Sequence, residues 1–416
     1  MRTGRRTFGA AVALVMLSGA AAWIIVSRDM GTLVRTVALR GQPSLLAVDP
    51  RSGHVFVLDH AATTVTMLDG RDGTVLRTTP VPPSPVSIAV DAPAARVVVT
   101  TEDYGYETAA VLDSGSGRLL TTTVLSAGTL STPTAFAFAG AALPVLVADA
   151  GGAATLLDPW SGVVRRSIAD VSVVAVDPRA GRFVTAVADG TLTVRDGHSG
   201  APVSAPFSVP QGLTVMALDA GAGHLFAANH DDNAPAVVVL DARSGAAERT
   251  APLTAFPSLK TVAVEAATGR VFVLNGDPGG GAVSVLDRWS GRLVATVSVG
   301  GPPTALALDD RTRRAFVARG DGETVRVLDA RSGVVQRVVR VGPGPQTLAV
   351  DPAAGRVFVT IAGGRERVVE PDPWQWVPGW VPRGLQRWLP FLPPSGSHAR
   401  TITVPPGVAI LDEARL

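Results

Sequence analysis

Eight times along this 416-residue chain a short apolar run ends in Asp and is followed within four residues by Gly; the eighth copy stops before its Gly. The runs close on Asp69, Asp113, Asp158, Asp196, Asp241, Asp287, Asp329 and Asp412, with texts such as VTMLDGRDG, VSVLDRWSG and VRVLDARSG. The last copy, VAILDEARL, ends the chain. Its missing continuation stands near the other terminus, where Gly31 to Leu39 read GTLVRTVAL and match GRLVATVSV after Asp287 and GVVQRVVRV after Asp329. A repeat whose two ends complete each other is the mark of a closed ring. This feature constrains the architecture and leaves open what the ring binds.

A second signal runs in phase with the first. Texts such as LAVDPRSGHVFVL and LAVDPAAGRVFVT place an acid at Asp49, Asp91, Asp177, Asp219, Glu265, Asp309 and Asp351, and the third unit degenerates to Ala139. These positions are separated by 42, 48, 38, 42, 46, 44 and 42 residues. Periods near 40 to 45 with four β-patterned runs each predict propeller blades. Within a unit, runs of Val, Ile, Leu, Thr and Phe are bounded by Gly, Pro, Asp and Ser, which is strand punctuation. The strands are A (ending in AVD), B (VFV), C (VLD) and D (the run after SG). Asp accepts bonds from turn amides and Gly supplies positive φ, so the repeated acids read as structural.

The motif carriers Val55-Phe56-Val57, Val271-Phe272-Val273 and Val357-Phe358-Val359, followed by V-x-V-L-D and S-G, resemble the YVTN-type β-propellers, which include YncE-like exported proteins. The resemblance covers residues 31–416 apart from one insertion. It implies an all-β, single propeller and says little about function. Members of that family usually look seven-bladed; eight strands A and eight strands C here favour eight four-stranded blades, with seven as the alternative.

Composition suits one large β domain: 46% hydrophobic and 17% charged residues allow an extensive core. Propellers exceed the usual domain size because each blade packs mainly on its neighbours. The formal charge is +2, and Arg is scattered with no basic stripe, so no nucleic acid is expected as a partner. The absence of Cys excludes disulfides, thiolate metal sites and attached c-type haem. Residues 1–30 read as a signal peptide or membrane anchor. Arg2, Arg5 and Arg6 precede an uncharged stretch from Phe8 to Val26. Its span of about 28 Å approaches the hydrocarbon thickness of a bilayer, while Ala20-Ala21-Ala22 offers a cleavage site. In either case the Arg residues stay inside and the ring is extracytoplasmic, anchored in the cell membrane or secreted.

The one break in the repeat lies in the last blade, at 363–406. It carries four of the seven Trp, at Trp374, Trp376, Trp380 and Trp388, and Leu385, Trp388, Leu389 and Leu392 fit a short amphipathic helix. Packing on the ring, partner docking and an interfacial membrane contact are the three readings. If the insertion joins strands B and C, it leaves the rim opposite to the N-terminal strand. The alternative takes RERVVEPDP as strand C and moves it next to the anchor.

No HExxH, G-x-S-x-G or Walker pattern occurs. Two B–C loops are richer than the others: Glu102, Asp103 and Tyr104 in unit two, and Asn229, His230, Asp231 and Asp232 in unit five. With Asp59, Asp149, Asp189, Asp277 and Asp321 they open on one face, where carboxylates and amide oxygens suit a divalent cation. Most of these acids adjoin Gly in hairpin turns and fit turn roles as well. The first expectation is an exported, membrane-anchored, non-enzymatic scaffold for a protein, peptide or envelope component. The alternative is a lactonase-like hydrolase or lyase with a cation in the central funnel. A subunit of a quinoprotein dehydrogenase is a third. The apolar strands A and the missing cofactor motifs weigh against an enzyme.

Overall fold

The C–D turn is where the fold is set locally. In the Asp287 turn the carboxylate accepts the Ser290 amide and hydroxyl, both at 2.8 Å, and the Gly291 amide returns to the Asp287 carbonyl at 2.8 Å with φ +63°. The same Asp–Ser–Gly turn closes at Asp158, Asp196, Asp241 and Asp329. Burial pushes the Asp158 carboxyl up, but bonds from Ser161 and Arg165 outweigh it and bring it to about 2. The repeated Asp is therefore a turn residue, and at Asp158 the bonds its carboxylate accepts favour the ionised form.

These turns join strands into eight four-stranded antiparallel sheets. The computed structural model describes residues 33–416 except 104–105, 128–133, 137–143, 149–151, 178–179, 188, 209–212, 220, 230–235, 254–258, 266, 278–279 and 371–397. Blade 1 runs Pro43–Asp49, His54–Asp59, Thr64–Asp69 and Val75–Pro80. Blades 2 to 7 follow in order, starting at Pro85, Thr134, Ser172, Leu213, Leu259 and Pro303. Blade 8 takes strands A, B and C from Pro345–Asp351, Arg356–Ile361 and Gly407–Asp412, and strand D from Leu33–Ala38. The closure expected from the split repeat is present, with Thr36 opposite Ala409 and Ala38 opposite Gly407. Eight blades, not seven, make the ring. Strands A of neighbouring blades pack together, Pro345–Asp351 against Pro43–Asp49 included, so strand A lines the axis and strand D the circumference.

The core is divided among the blade interfaces. Phe56, Leu58, Val65 and Met67 meet Val97, Val99 and Leu112 of blade 2. From the other face of blade 1, Leu46, Val55, Val57 and Leu68 meet Phe358, Val408 and Ile410 of blade 8. Period-two alternation along strand B thus feeds two cores at once. The register explains the paired AVD and VFV texts. Ala47, Ala217, Ala263, Ala307 and Ala349 stand directly opposite Phe56, Phe226, Phe272, Phe316 and Phe358, small against large.

The last blade departs from the pattern between Ile361 and Gly407. Gly364–Glu370 and His398–Val404 form a separate two-stranded hairpin, and VAILD is strand C beside Arg356–Ile361. The insertion is therefore a B–C excursion. The reading that took RERVVEPDP as strand C fails because its first six residues, Arg365 to Glu370, pair with His398–Thr403. Trp374, Trp376, Trp380, Trp388 and the amphipathic segment lie outside the described residues. So does Phe8 to Val26; among the described residues no helix is long and apolar enough to cross a membrane.

Candidate functional site: the B–C rim

Strands B end and strands C begin on one rim, and among the described residues of that rim the hairpins place the side chains. In blade 1, Asp59 is buried and accepts the Gln42 amide at 2.7 Å and the Ala62 amide at 2.8 Å, clamping the linker from blade 8 to the turn. His60 Nδ1 lies 2.8 Å from the Pro85 carbonyl of blade 2. Both are structural. Asp189 takes the Thr191 amide, which holds its carboxyl below the usual range. Asp321 pairs with Arg319 at 3.3 Å, and Glu323 with Arg340 at 2.5 Å.

Blades 2 and 6 rise higher than most. Their B and C strands run eight residues, Arg96–Asp103 with Tyr106–Asp113 and Arg270–Asp277 with Gly280–Asp287, where six is common elsewhere. In blade 2, Glu102 stands opposite Glu107 and Asp103 opposite Tyr106. Glu102 donates its amide to the Ser84 carbonyl at 3.0 Å, and its side chain and that of Asp103 are half-buried. Tyr106 is 57% exposed. In blade 5, Asn229 ends strand B opposite Ala236. Tyr104, His230, Asp231, Asp232, Asp149 and the Asp277 side chain lie outside what is described. The fold thus puts Glu102 and Asn229 on one rim but three blades apart. Among the described residues no three His, Asp or Glu side chains converge to hold a metal.

The opposite rim carries polar contacts between blades that the sequence reading did not single out. The residue after the strand-C Asp reaches the strand-A acid of the preceding blade. Ser114 Oγ donates to Asp49 Oδ2 at 2.7 Å, and Arg288 Nη2 to Asp219 Oδ1 at 2.7 Å, with Nε closing the fork. Glu413 meets Asp309, and Thr312 Oγ1 lies 2.7 Å from Glu413 Oε2 and 2.8 Å from Asp309 Oδ2. Both acids are almost fully buried. Burial, and then the neighbouring Asp309, pushes Glu413 up to about 7. Burial works against the Asp309 charge too, but bonds from Glu413 and Thr312 hold it below the usual range. Thr312 Oγ1 thus stands between two buried carboxyls whose proton affinities are pushed in opposite directions. An open groove of about 560 Å³ lies beside them, lined by Arg311, Arg314 and Gly355 among others. Aligned repeats carry the signal for these contacts. The column reads Gly70, Ser114, Pro159, Gly197, Ala242, Arg288, Ala330 and Glu413, polar only where a contact forms.

No family model and no curated protein matches the chain. Solved structures do. BamB from Moraxella catarrhalis is 16% identical with a TM-score of 0.59, covering 80% of this chain and 97% of that one. The computationally designed Ika8 protein is 18% identical with a TM-score of 0.61 over 80% and 97%. The C-terminal WD40 domain of Sif2 is 14% identical with a TM-score of 0.61 over 78% and 95%. The chain is an eight-bladed β-propeller. At these identities the likeness speaks for the fold alone.

Proposed function

We propose that the protein is an exported, membrane-anchored member of the YVTN-type propellers, similar to YncE-like proteins. It acts as a non-enzymatic scaffold that holds a protein, peptide or envelope component on its B–C rim. One observation carries this reading. Blade 8 extends between strands B and C into a hairpin, Gly364–Glu370 with His398–Val404, without disturbing its own pairing. A segment with four Trp mounted on such a stalk suits a docking element, since aromatic anchors supply binding energy where partners meet. The turn and linker roles of Asp59 and Asp189, the pairing of Asp321 with Arg319 and the apolar strands A support binding over catalysis. Glu102, Asp103, Tyr104, Asn229, His230, Asp231 and Asp232 complete the proposed ligand face.

The test replaces Glu370 to Pro394 by a short Gly-Ser linker in the full chain. The ring keeps cooperative unfolding, because a surface insertion adds little loop-closure cost, while a partner cross-linked to the natural chain in cells is lost. Loss of cooperative unfolding would place the segment in the core, and a retained partner would remove it from the docking face. A calcium-dependent rise in Tm that Asp231→Ala abolishes would favour the lactonase-like alternative.

A further inference from the structure

The second residue after the strand-C Asp stands at the tip of each C–D turn. All eight such residues are exposed. In three blades the residue is Arg, at Arg71, Arg243 and Arg331; in two it is Trp, at Trp160 and Trp289; His198 is a sixth. The remaining two are Gly115 and Ala414, and no acid occupies the position. Acids that open the turns are taken up by turn amides, as at Asp158 and Asp287. At this position the rim thus presents cationic and indole side chains, with the exposed Asp72 beside Arg71 accepting the Thr74 amide.

Trp160 is 45% and Trp289 63% exposed, a costly display for an indole unless something covers it. Trp289 is held in place: the Arg288 guanidinium lies 4.9 Å from its ring centroid and His224 meets it edge-on at 6.3 Å. Val163 and Val334, each just past a turn Gly, are 59% and 62% exposed. Trp at the boundary with Arg around it is the composition of a surface that sits in the headgroup layer of a bilayer.

The chain joins the ring on this same rim. Leu33 pairs with Leu411, next to the C–D corner at Asp412, so strand D of blade 8 starts here. Only six residues separate Val26 from Leu33, a reach of roughly 20 Å. The joining blade and the two Trp blades are 8, 3 and 6. Around an eight-bladed ring they stand roughly 135°, 135° and 90° apart, three points that define a plane. The opposite rim carries Asp103 and Asp189, which an anionic surface repels, while Asp321 and Glu323 there are paired with Arg319 and Arg340.

We infer that the C–D rim is a membrane-docking face that lies flat on an anionic bilayer through Trp160, Trp289 and the arginines between them, leaving the B–C rim turned away. This rests on the membrane anchoring proposed above. The cysteine-free chain allows a direct test. Single Gly115→Cys and Tyr106→Cys variants of the full chain, one per rim, are labelled with an environment-sensitive fluorophore and reconstituted into phosphatidylcholine vesicles with or without phosphatidylglycerol. The expected result is flotation of all samples with the vesicles. The label at position 115 shifts to the blue with phosphatidylglycerol and loses that shift in Trp160→Ser/Trp289→Ser or in high salt, while the label at 106 stays aqueous. Flotation with both labels equally aqueous, or a shift at 115 that survives the double Trp change, would overturn the docking face and leave the anchor standing. Failure to float would overturn the anchoring and the docking face with it.

Discussion

Glu413→Gln should make the protein more stable above neutral pH and change it little below pH 5. In the fold Glu413 is 3% exposed, and burial and the neighbouring Asp309 raise its pKa from 4.5 to about 7. Between those values the folded state holds a proton that the unfolded chain releases. The contribution is thus fully present below pH 4.5 and lost as pH rises through 7. A shift of about 2.5 units corresponds to roughly 3 kcal/mol. With unfolding entropy near 2.1 cal/mol/K per residue, that amounts to about 4 °C in Tm for a ring of this size. Gln keeps the shape and the donor of the protonated acid and never has to ionise. Circular dichroism melts of both chains from pH 5 to 8.5 read the difference, in which other buried acids such as Asp91, raised to about 6 by burial, cancel. A difference in Tm that does not change with pH would refute the raised pKa of Glu413.

Two further outcomes follow from single contacts. Arg288→Ala leaves the buried Asp219 carboxylate without its fork and should cost about 3 kcal/mol in denaturant unfolding, with much of the loss recovered in Arg288→Ala/Asp219→Ala. Gly41→Ala should cost roughly 2 kcal/mol, because φ is +104° and the new Cβ would lie 1.8 Å from Asp59 Oδ2. Adding Asp59→Ala removes the overlap but not the backbone strain, so the two changes should be less than additive.

Ring closure was legible because Leu33–Ala38 and Gly407–Asp412 carry two halves of one repeated text, and a period of some forty residues leaves few alternatives. The turn role of Asp287 and its equivalents was legible for a local reason: the Ser and Gly that complete the turn are three and four residues away. Contacts between blades were not. Glu413 and Asp309 are far apart in sequence, and only the curvature of the ring brings the residue after one strand C onto the strand-A acid of the blade before it. Blade 4 shows a limit of pattern matching. Phe183 opposes Val176, one place out of step with the Phe–Ala pairs of five other blades, so Val184 takes the place of Phe. The B–C rim was legible as a face but not as a site, because Glu102 and Asn229 share an edge of the ring while standing three blades apart.

Everything said of the two rims depends on the pairing of Leu33–Ala38 with Gly407–Asp412. It decides which rim the N-terminal segment leaves and which one bears the insertion. A disulfide between Thr36→Cys and Ala409→Cys measures that pairing directly, since residues directly opposite in antiparallel strands lie within reach of the bond. Under mild oxidation the double variant should cross-link within one chain nearly completely and unfold at a higher temperature than its reduced form. A bond that forms only between chains, or forms faster when the second cysteine is moved by one residue to Ile410, would contradict the closed ring described here.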